Sequence, residues 1–428
     1  MKFSRIWCLV ICVLCLVGGC GRDPSKTREQ LHKAARGGDL QRVQSLVAKG
    51  ADVNAKTIEG VTALHEAAYA GRKATVEFLL AKGADPNTET KFGDTPLHEA
   101  VDGNHRDVAE LLIGKGARVD ARTSRGITPL YEACHAGYAD IVDLLIAGGA
   151  DVNLGTNDGE TPLYAAADGG YEGLVALLVA KGANVNAVSA HGPALYAAAR
   201  AGYLSVVESL VSKGANIDAG NGRYTALHGA ASADKGTAIA EFLVSKGANV
   251  NVGVDRGYTP LYLAINNMRS SVAELLIANG ADVNTQTAEG CTPLSRSIET
   301  GAARVAQMLI ARGANVNATV PAYGTMLYLA ARWGSPKEVV ELLIAKGANV
   351  NATNEYGETA LHQAIQSRHG SIAEILIARG ADVNAQTKEG QTPLDFAYRA
   401  APDLVDILRG AGGQEGKKPR KGDSGAKQ

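Results

Sequence analysis

The stretch "GDTPLHEAVDGNHRDVAELLIGKGARVDA", Gly93 to Ala121, decides how the rest of the chain is read. Thr95 suits the cap of a helix N-terminus, and Pro96 fits the first helical position, where a missing N–H costs nothing. Leu97, Ala100 and Val101 then fall at i, i+3 and i+4 and make one apolar stripe. The chain breaks at Gly103 and Asn104. "VAELLIGKG" supplies a second short helix, with Val108, Leu111 and Leu112 expected to face inward. Gly116 closes it, because glycine accepts the left-handed conformation that a helix C-terminus wants. "ARVDARTSRG" turns the chain back as a loop or hairpin. Neither helix is long enough to be stable alone, so the segment needs neighbours against which to bury its stripes.

The neighbours are copies of itself. "GITPLYEACHAGYADIVDLLIAGGADVNL" starts at Gly126 and "GETPLYAAADGGYEGLVALLVAKGANVNA" at Gly159. The anchor leucine returns at Leu31, Leu64, Leu97, Leu130, Leu163, Leu195, Leu227, Leu261, Leu294, Leu327, Leu361 and Leu394, which makes twelve units. The spacing is 33 residues, with two intervals of 32 and two of 34. A period of this length marks a stacked array in which each unit is stabilised by the next. Alanines at Ala67, Ala100, Ala133, Ala166, Ala198 and Ala230 let adjacent helices approach to roughly 8–10 Å.

The T-P-L-H-x-A opening, the LL-x-x-G-A-D-V-N-A tail and the period resemble ankyrin repeats. The resemblance implies an all-α ankyrin-repeat solenoid of helix-turn-helix-hairpin units over about residues 28–410. The ends are atypical, as capping units are. The first replaces Thr-Pro with "REQLHKAA", and the last carries Asp395 at the histidine position and stops at "DILRGAGG". Residues 411–428 read as a disordered basic tail.

Composition narrows the function. The chain carries 43 basic and 44 acidic residues, which argues against a nucleic-acid binder. Too little chain lies outside the repeats to fold into a catalytic domain. His32, His65, His98, His228 and His362 all take the H of T-P-L-H, where the resemblance implies that the imidazole hydrogen-bonds the neighbouring turn. No phosphate loop, zinc spacing or nucleophile triad is present. The expectation is therefore no catalysis, no cofactor and no metal, in a protein that binds other proteins.

Six cysteines remain to be placed. Cys134 occupies a core position, matching Ala68 and Ala167. In an ankyrin array it lies five units from Cys291, too far for a disulfide, which needs Cα atoms within about 7 Å. The other four sit in "WCLVICVLCLVGGCGRD", Trp7 to Asp23. Cys8, Cys12 and Cys15 have the C-x3-C-x2-C spacing of a cluster site. They lie, however, inside an apolar run from Ile6 to Val17 that follows Lys2 and Arg5, which is the layout of a signal peptide. Val17-Gly18-Gly19-Cys20 resembles the lipobox of bacterial lipoproteins. That implies a signal peptide at 1–19, lipidation of Cys20 and a tether at 20–27. The expected location is the bacterial cell envelope, lipid-anchored, with Gly21 favouring the outer membrane facing the periplasm.

In ankyrin repeats the binding face comes from the first helix of each unit and the hairpin tips. On that face Glu66, Glu99 and Glu132 stand in register, joined by Asp102. Like charges so placed repel, and a protein partner with a basic surface relieves them. Tyrosines cluster in units four to six. Tyr131, Tyr164 and Tyr196 take the histidine position, while Tyr138, Tyr171 and Tyr203 follow the inter-helix glycine. Exposed aromatics make binding hot spots, and both positions also serve packing. Trp333 is an isolated further candidate. Near this cluster "HGPALY" lacks Thr-Pro and "AGNGRYTALH" shortens a finger, a change that would widen the groove. The expected role is a protein-interaction scaffold or adaptor at the envelope, or alternatively an inhibitor or immunity-type protein that blocks a toxin or secreted enzyme.

Overall fold

The anchor leucines dictate the architecture. All twelve are at most 2% exposed. From the second unit on, each is the second residue of a short first helix that is followed by a second helix, while Leu31 sits midway along the longer helix Pro24–Gly37. The computed structural model describes residues 24–416 apart from Ala322. Among them, 24 α-helices form the expected twelve pairs, with only two-residue strands such as Thr319–Val320, which pairs antiparallel with Gly324–Thr325. No helix in this range is long and apolar enough to cross a membrane. The chain divides into an N-terminal body ending at His191, with five helix pairs, and a C-terminal body starting at Gly192, with seven.

The third unit shows how the pattern builds. Pro96–Asp102 buries Leu97, Ala100 and Val101, as the stripe requires. Arg106–Gly114 buries Val108, Ala109 and Leu112. Leu111 is only half-buried, so Ala109 takes the inward place expected for it. The small alanine faces the next pair where a leucine would hold it off.

The histidine column ties unit to unit. The Thr95 N–H and hydroxyl both donate to His98 Nδ1, at 3.2 and 2.9 Å, and His98 Nε2–H donates to the Ile127 carbonyl at 3.2 Å. One ring thus caps its own helix and satisfies a backbone oxygen 29 residues on. His65, His228 and His362 make the same three contacts. Tyrosine at this position reaches further, so Tyr131 and Tyr328 donate to Glu160 and Glu358 at 2.9 and 2.8 Å. In the last unit the Asp395 carboxylate accepts from the Thr392 N–H and hydroxyl and from the Gly416 N–H.

The asparagine of the D-V-N-A tail is a second staple. Asn54 Nδ2 donates to the Gly83 carbonyl and Oδ1 accepts from the Asp85 N–H, both at 3.0 Å. Asn87, Asn153, Asn251, Asn284, Asn317, Asn351 and Asn384 repeat the pair. Asp120 and Asp218 have no amide. They accept from Asp151 and Asn249 and leave the donating half unmade.

Two boundaries differ from the sequence reading. The first helix begins at Pro24, so the last residues of the expected tether are already helical. At the other end residues 411–416 are not free. Gln414 N–H donates to Asn384 Oδ1 at 2.7 Å, and the Thr392 hydroxyl shares its one hydrogen between the Asp395 carboxylate and the Gln414 carbonyl, 2.7 Å away. The staple and capping groups of the last unit have no following repeat, and this segment supplies their partners. Cys20 and the rest of the expected signal peptide lie outside the described residues, as does the tail from 417.

Candidate functional site

The registered glutamates of the N-terminal body all project from first helices, at the position two residues after the anchor leucine. Each is half-buried between its own helix and the finger behind it. Glu66 is compensated by Arg36, at 3.6 Å. The next two are not paired in this way. Burial, and then the charges of Asp94, Asp102 and Glu66, push the Glu99 carboxyl up to about 7. Burial, with Asp102, Asp94 and Glu99, pushes Glu132 up to about 8. Glu132 Oε2 is shut off from solvent and has no hydrogen-bond partner. Fully ionised, the ladder would carry more negative charge than its surroundings stabilise, so protons stay on it into the neutral range.

Glu132 lies in a 360 Å³ pocket with Tyr131, His135, Arg125 and Glu160. Tyr131 and His135, four residues apart on one helix, stack with their rings 4° from parallel and 6.4 Å apart. Tyr131 is held by its bond to Glu160, and His191 Nδ1 lies 3.0 Å from the other oxygen of that carboxylate. A neighbouring 230 Å³ pocket is formed by Arg36, Tyr69, Glu66 and Glu99. The Arg36 guanidinium lies 5.7 Å from the Tyr69 ring centre. Asp102, exposed at the end of its helix, adds its charge to both glutamates.

The tyrosines divide differently from the sequence expectation. Tyr164 is 7% exposed and belongs to the core. Tyr171 is a rivet. Its ring covers Gly137, a left-handed residue at φ 78°, where an added Cβ would sit 2.5 Å from ring carbons. Tyr138 is half-buried. Tyr196, in the C-terminal body, stacks on Tyr224 at 5.7 Å. The shortened finger therefore does not widen the groove there, because it folds Tyr224 over Tyr196. Tyr203 and Trp333 are exposed, at 39% and 53%. Arg332 bridges Trp333 and Tyr323, with its guanidinium 5.8 and 5.4 Å from the two ring centres.

The titratable groups that chemistry would need are committed elsewhere. The histidine column is buried, His65, His98, His228 and His362 are bonded through both ring nitrogens while His32 bonds only the Ala55 carbonyl, and burial drives His65 and His228 down to about 4. Cys134 is fully buried, and burial pushes its thiol up to about 12. Cys134 and Cys291 are free thiols. Among the described residues no group of histidine, cysteine and carboxylate side chains is arranged to hold a metal ion.

Sequence reasoning missed the asparagine staple and the arginine between two rings. The first was visible as the N of every D-V-N-A. The second depends on which finger tip meets which helix end.

No curated protein matches the chain. The family model for ankyrin repeats (3 copies) matches residues 31–123, 115–189, 188–254, 235–320 and 323–418. Ankyrin arrays are typically non-catalytic scaffolds of protein–protein interaction. With twelve helix pairs among the described residues and the family match running over nearly all of them, the chain belongs to the ankyrin-repeat family.

Proposed function

We propose that this chain is a non-catalytic scaffold, held at the cell envelope by a lipid on Cys20, that takes a basic protein segment on the first-helix face of units two to four. The observation that supports the reading is the Glu66–Glu99–Glu132 ladder, with two carboxyls raised by burial and mutual charge and one oxygen unpartnered. A lysine or arginine side chain laid along it supplies the missing positive charge. Tyr69, Tyr131 and His135 offer ring faces on which its stem or guanidinium rests.

The reading has a pH signature. A cation favours the ionised carboxylates, so binding releases protons and strengthens as pH rises through 7 and 8. A fluorescein-labelled hexa-arginine peptide titrated against the purified chain should bind more tightly at pH 8.5 than at pH 6. The Glu99→Gln/Glu132→Gln double variant should lose about tenfold in affinity, equivalent to ~1.4 kcal/mol, together with the pH trend. Equal binding by the variant, or a flat pH profile, rules the site out.

The anchor is tested separately. Cys20→Ala should move the protein from the membrane fraction to the soluble fraction on cell fractionation. Retention in the membrane fraction counts against lipidation. Buried acyl CH₂ groups contribute about 0.8 kcal/mol each, so the shift should be near complete.

A further inference from the structure

Unit ten carries two large rings where the repeat elsewhere has small residues. Six places after the anchor leucine the other units have glycine, alanine, serine, threonine or asparagine, and unit ten has Trp333. Four places before it, Gly93, Gly126, Gly257 and Gly290 are left-handed turn residues. Unit ten has Tyr323 there, and its left-handed glycine, Gly324, comes one place later. The shift accompanies the short ladder of Thr319–Val320 with Gly324–Thr325, where the Tyr323 N–H donates to the Val320 carbonyl at 3.0 Å. Neither ring is drawn inward. Trp333 is 53% exposed and Tyr323 41%, so packing between units does not account for them.

Arg332 stands between the two. Its guanidinium lies 5.4 Å from the Tyr323 ring centre and 5.8 Å from that of Trp333, within cation–π range of both. The side chain is exposed. Its N–H donors lie in the guanidinium plane and form a fork that matches a carboxylate. Among the described residues none of them donates to a protein acceptor, and Arg332 makes no ion pair. The groups around it are committed elsewhere. At the same repeat place in the flanking units stand Glu299, paired with Arg296 at 2.8 Å, and Gln366, which is neutral. Glu358, in the next finger, accepts from Tyr328 and Asn354. An arginine already held between two rings loses less freedom on binding than one that waves in solvent. Tryptophan, tyrosine and arginine are also the residues in which binding energy concentrates.

We infer that Tyr323, Arg332 and Trp333 form a docking surface for an acidic segment of a partner protein. A carboxylate of the segment accepts two hydrogen bonds from Arg332, and apolar side chains beside it lie on the two rings. A nucleic acid would need a row of cations, whereas one guanidinium flanked by rings suits a single carboxylate with apolar neighbours. The surface is separate from the acidic ladder in residues, charge and partner. Either can fail without the other.

The probe is a fluorescein-labelled octapeptide alternating glutamate and leucine, titrated by anisotropy against the purified full chain, with its glutamine counterpart and an oligothymidylate alongside. Arg332→Gln should weaken the glutamate peptide by about tenfold, and Arg332→Lys, which keeps the charge but loses the fork, by about threefold. Trp333→Ala should weaken it by about fivefold. Both residues are exposed, so each variant should keep the circular dichroism and urea midpoint of the parent. The inference is overturned if the glutamate peptide does not bind, if the glutamine peptide binds as tightly, or if Arg332→Gln binds as the parent does. Tighter binding of the oligothymidylate, lost in Arg332→Gln, would also overturn it, by assigning the surface to a nucleic acid.

Discussion

Between pH 6.5 and 8.5 the N-terminal body should lose about 2 kcal/mol of stability, while the C-terminal body holds steady. Carboxyls raised in the folded state bind protons more tightly there than in the unfolded chain. Their contribution is fully present below their ordinary value of 4.5 and is lost as pH rises through 7 and 8. Glu99 and Glu132 act in this way, and both belong to the first body. The histidines act in the opposite sense. Burial lowers His65 and His228 from 6.5 to about 4, so the unfolded chain binds protons more tightly in that window. The stability they contribute is complete above 6.5 and is lost as pH falls toward 4, at up to about 3 kcal/mol each. His32, His98 and His362 are shifted in the same direction by the same burial. The C-terminal body has the histidine limb without the glutamate limb. Asp395 there works the other way. Burial opposes its ionisation, but the bonds from Thr392 and Gly416 outweigh burial and hold its carboxyl low. Hydrogen exchange read by mass spectrometry, corrected for intrinsic rates, should show the first body most protected near pH 6 to 6.5 and the second still fully protected at pH 8. Glu99→Gln/Glu132→Gln should abolish the difference above pH 6.5. Parallel profiles for the two bodies in the parent chain would refute the assignment.

Gly236→Ala should destabilise the C-terminal body by about 3 kcal/mol. The methyl group would lie 1.8 Å from the Ala230 carbonyl oxygen and 2.8 Å from its carbon. The obstacle is helix backbone, which cannot rotate away as a side-chain end can. Overpacking typically costs 1–3 kcal/mol, and a clash with backbone belongs at the upper end. The glycine is needed because the second helix of this unit, one residue longer than the nine of its neighbours, starts hard against the end of the first. Gly173→Ala, with nothing within 4 Å of the added carbon, is the matched control and should be neutral or slightly stabilising. Urea unfolding followed by circular dichroism compares the two. An unchanged midpoint for Gly236→Ala would mean that the turn is more pliant than its packing indicates.

The repeat was legible in the sequence because its signals are local and recur twelve times. Thr-Pro marks where a helix starts, the leucine what it buries and the glycine where it stops. Each of these outcomes depends on residues a few places apart. Leu111 was misjudged because two leucines in a row fit the same stripe, and only the neighbouring pair decides which faces it. The tyrosines were harder. Tyr171 and Tyr203 share a position, yet one ring lies over Gly137 while the other remains 39% exposed. What separates them is the turn of another unit, about 33 residues away. The acidic ladder was visible as three glutamates in register, but its burial, which gives those charges their consequence, was not.

Asp120 and Asp218 give the array a mechanical character. A tether pulling on a stack of repeats loads every joint in series, and the least cross-braced one yields first. The finger joints at Asp120 and Asp218 carry one hydrogen bond from the staple position where Asn87 and Asn251 carry two. One such joint lies in each body. Under load the chain should therefore give way at these two seams before any other, with each body opening from its interior rather than fraying from its ends.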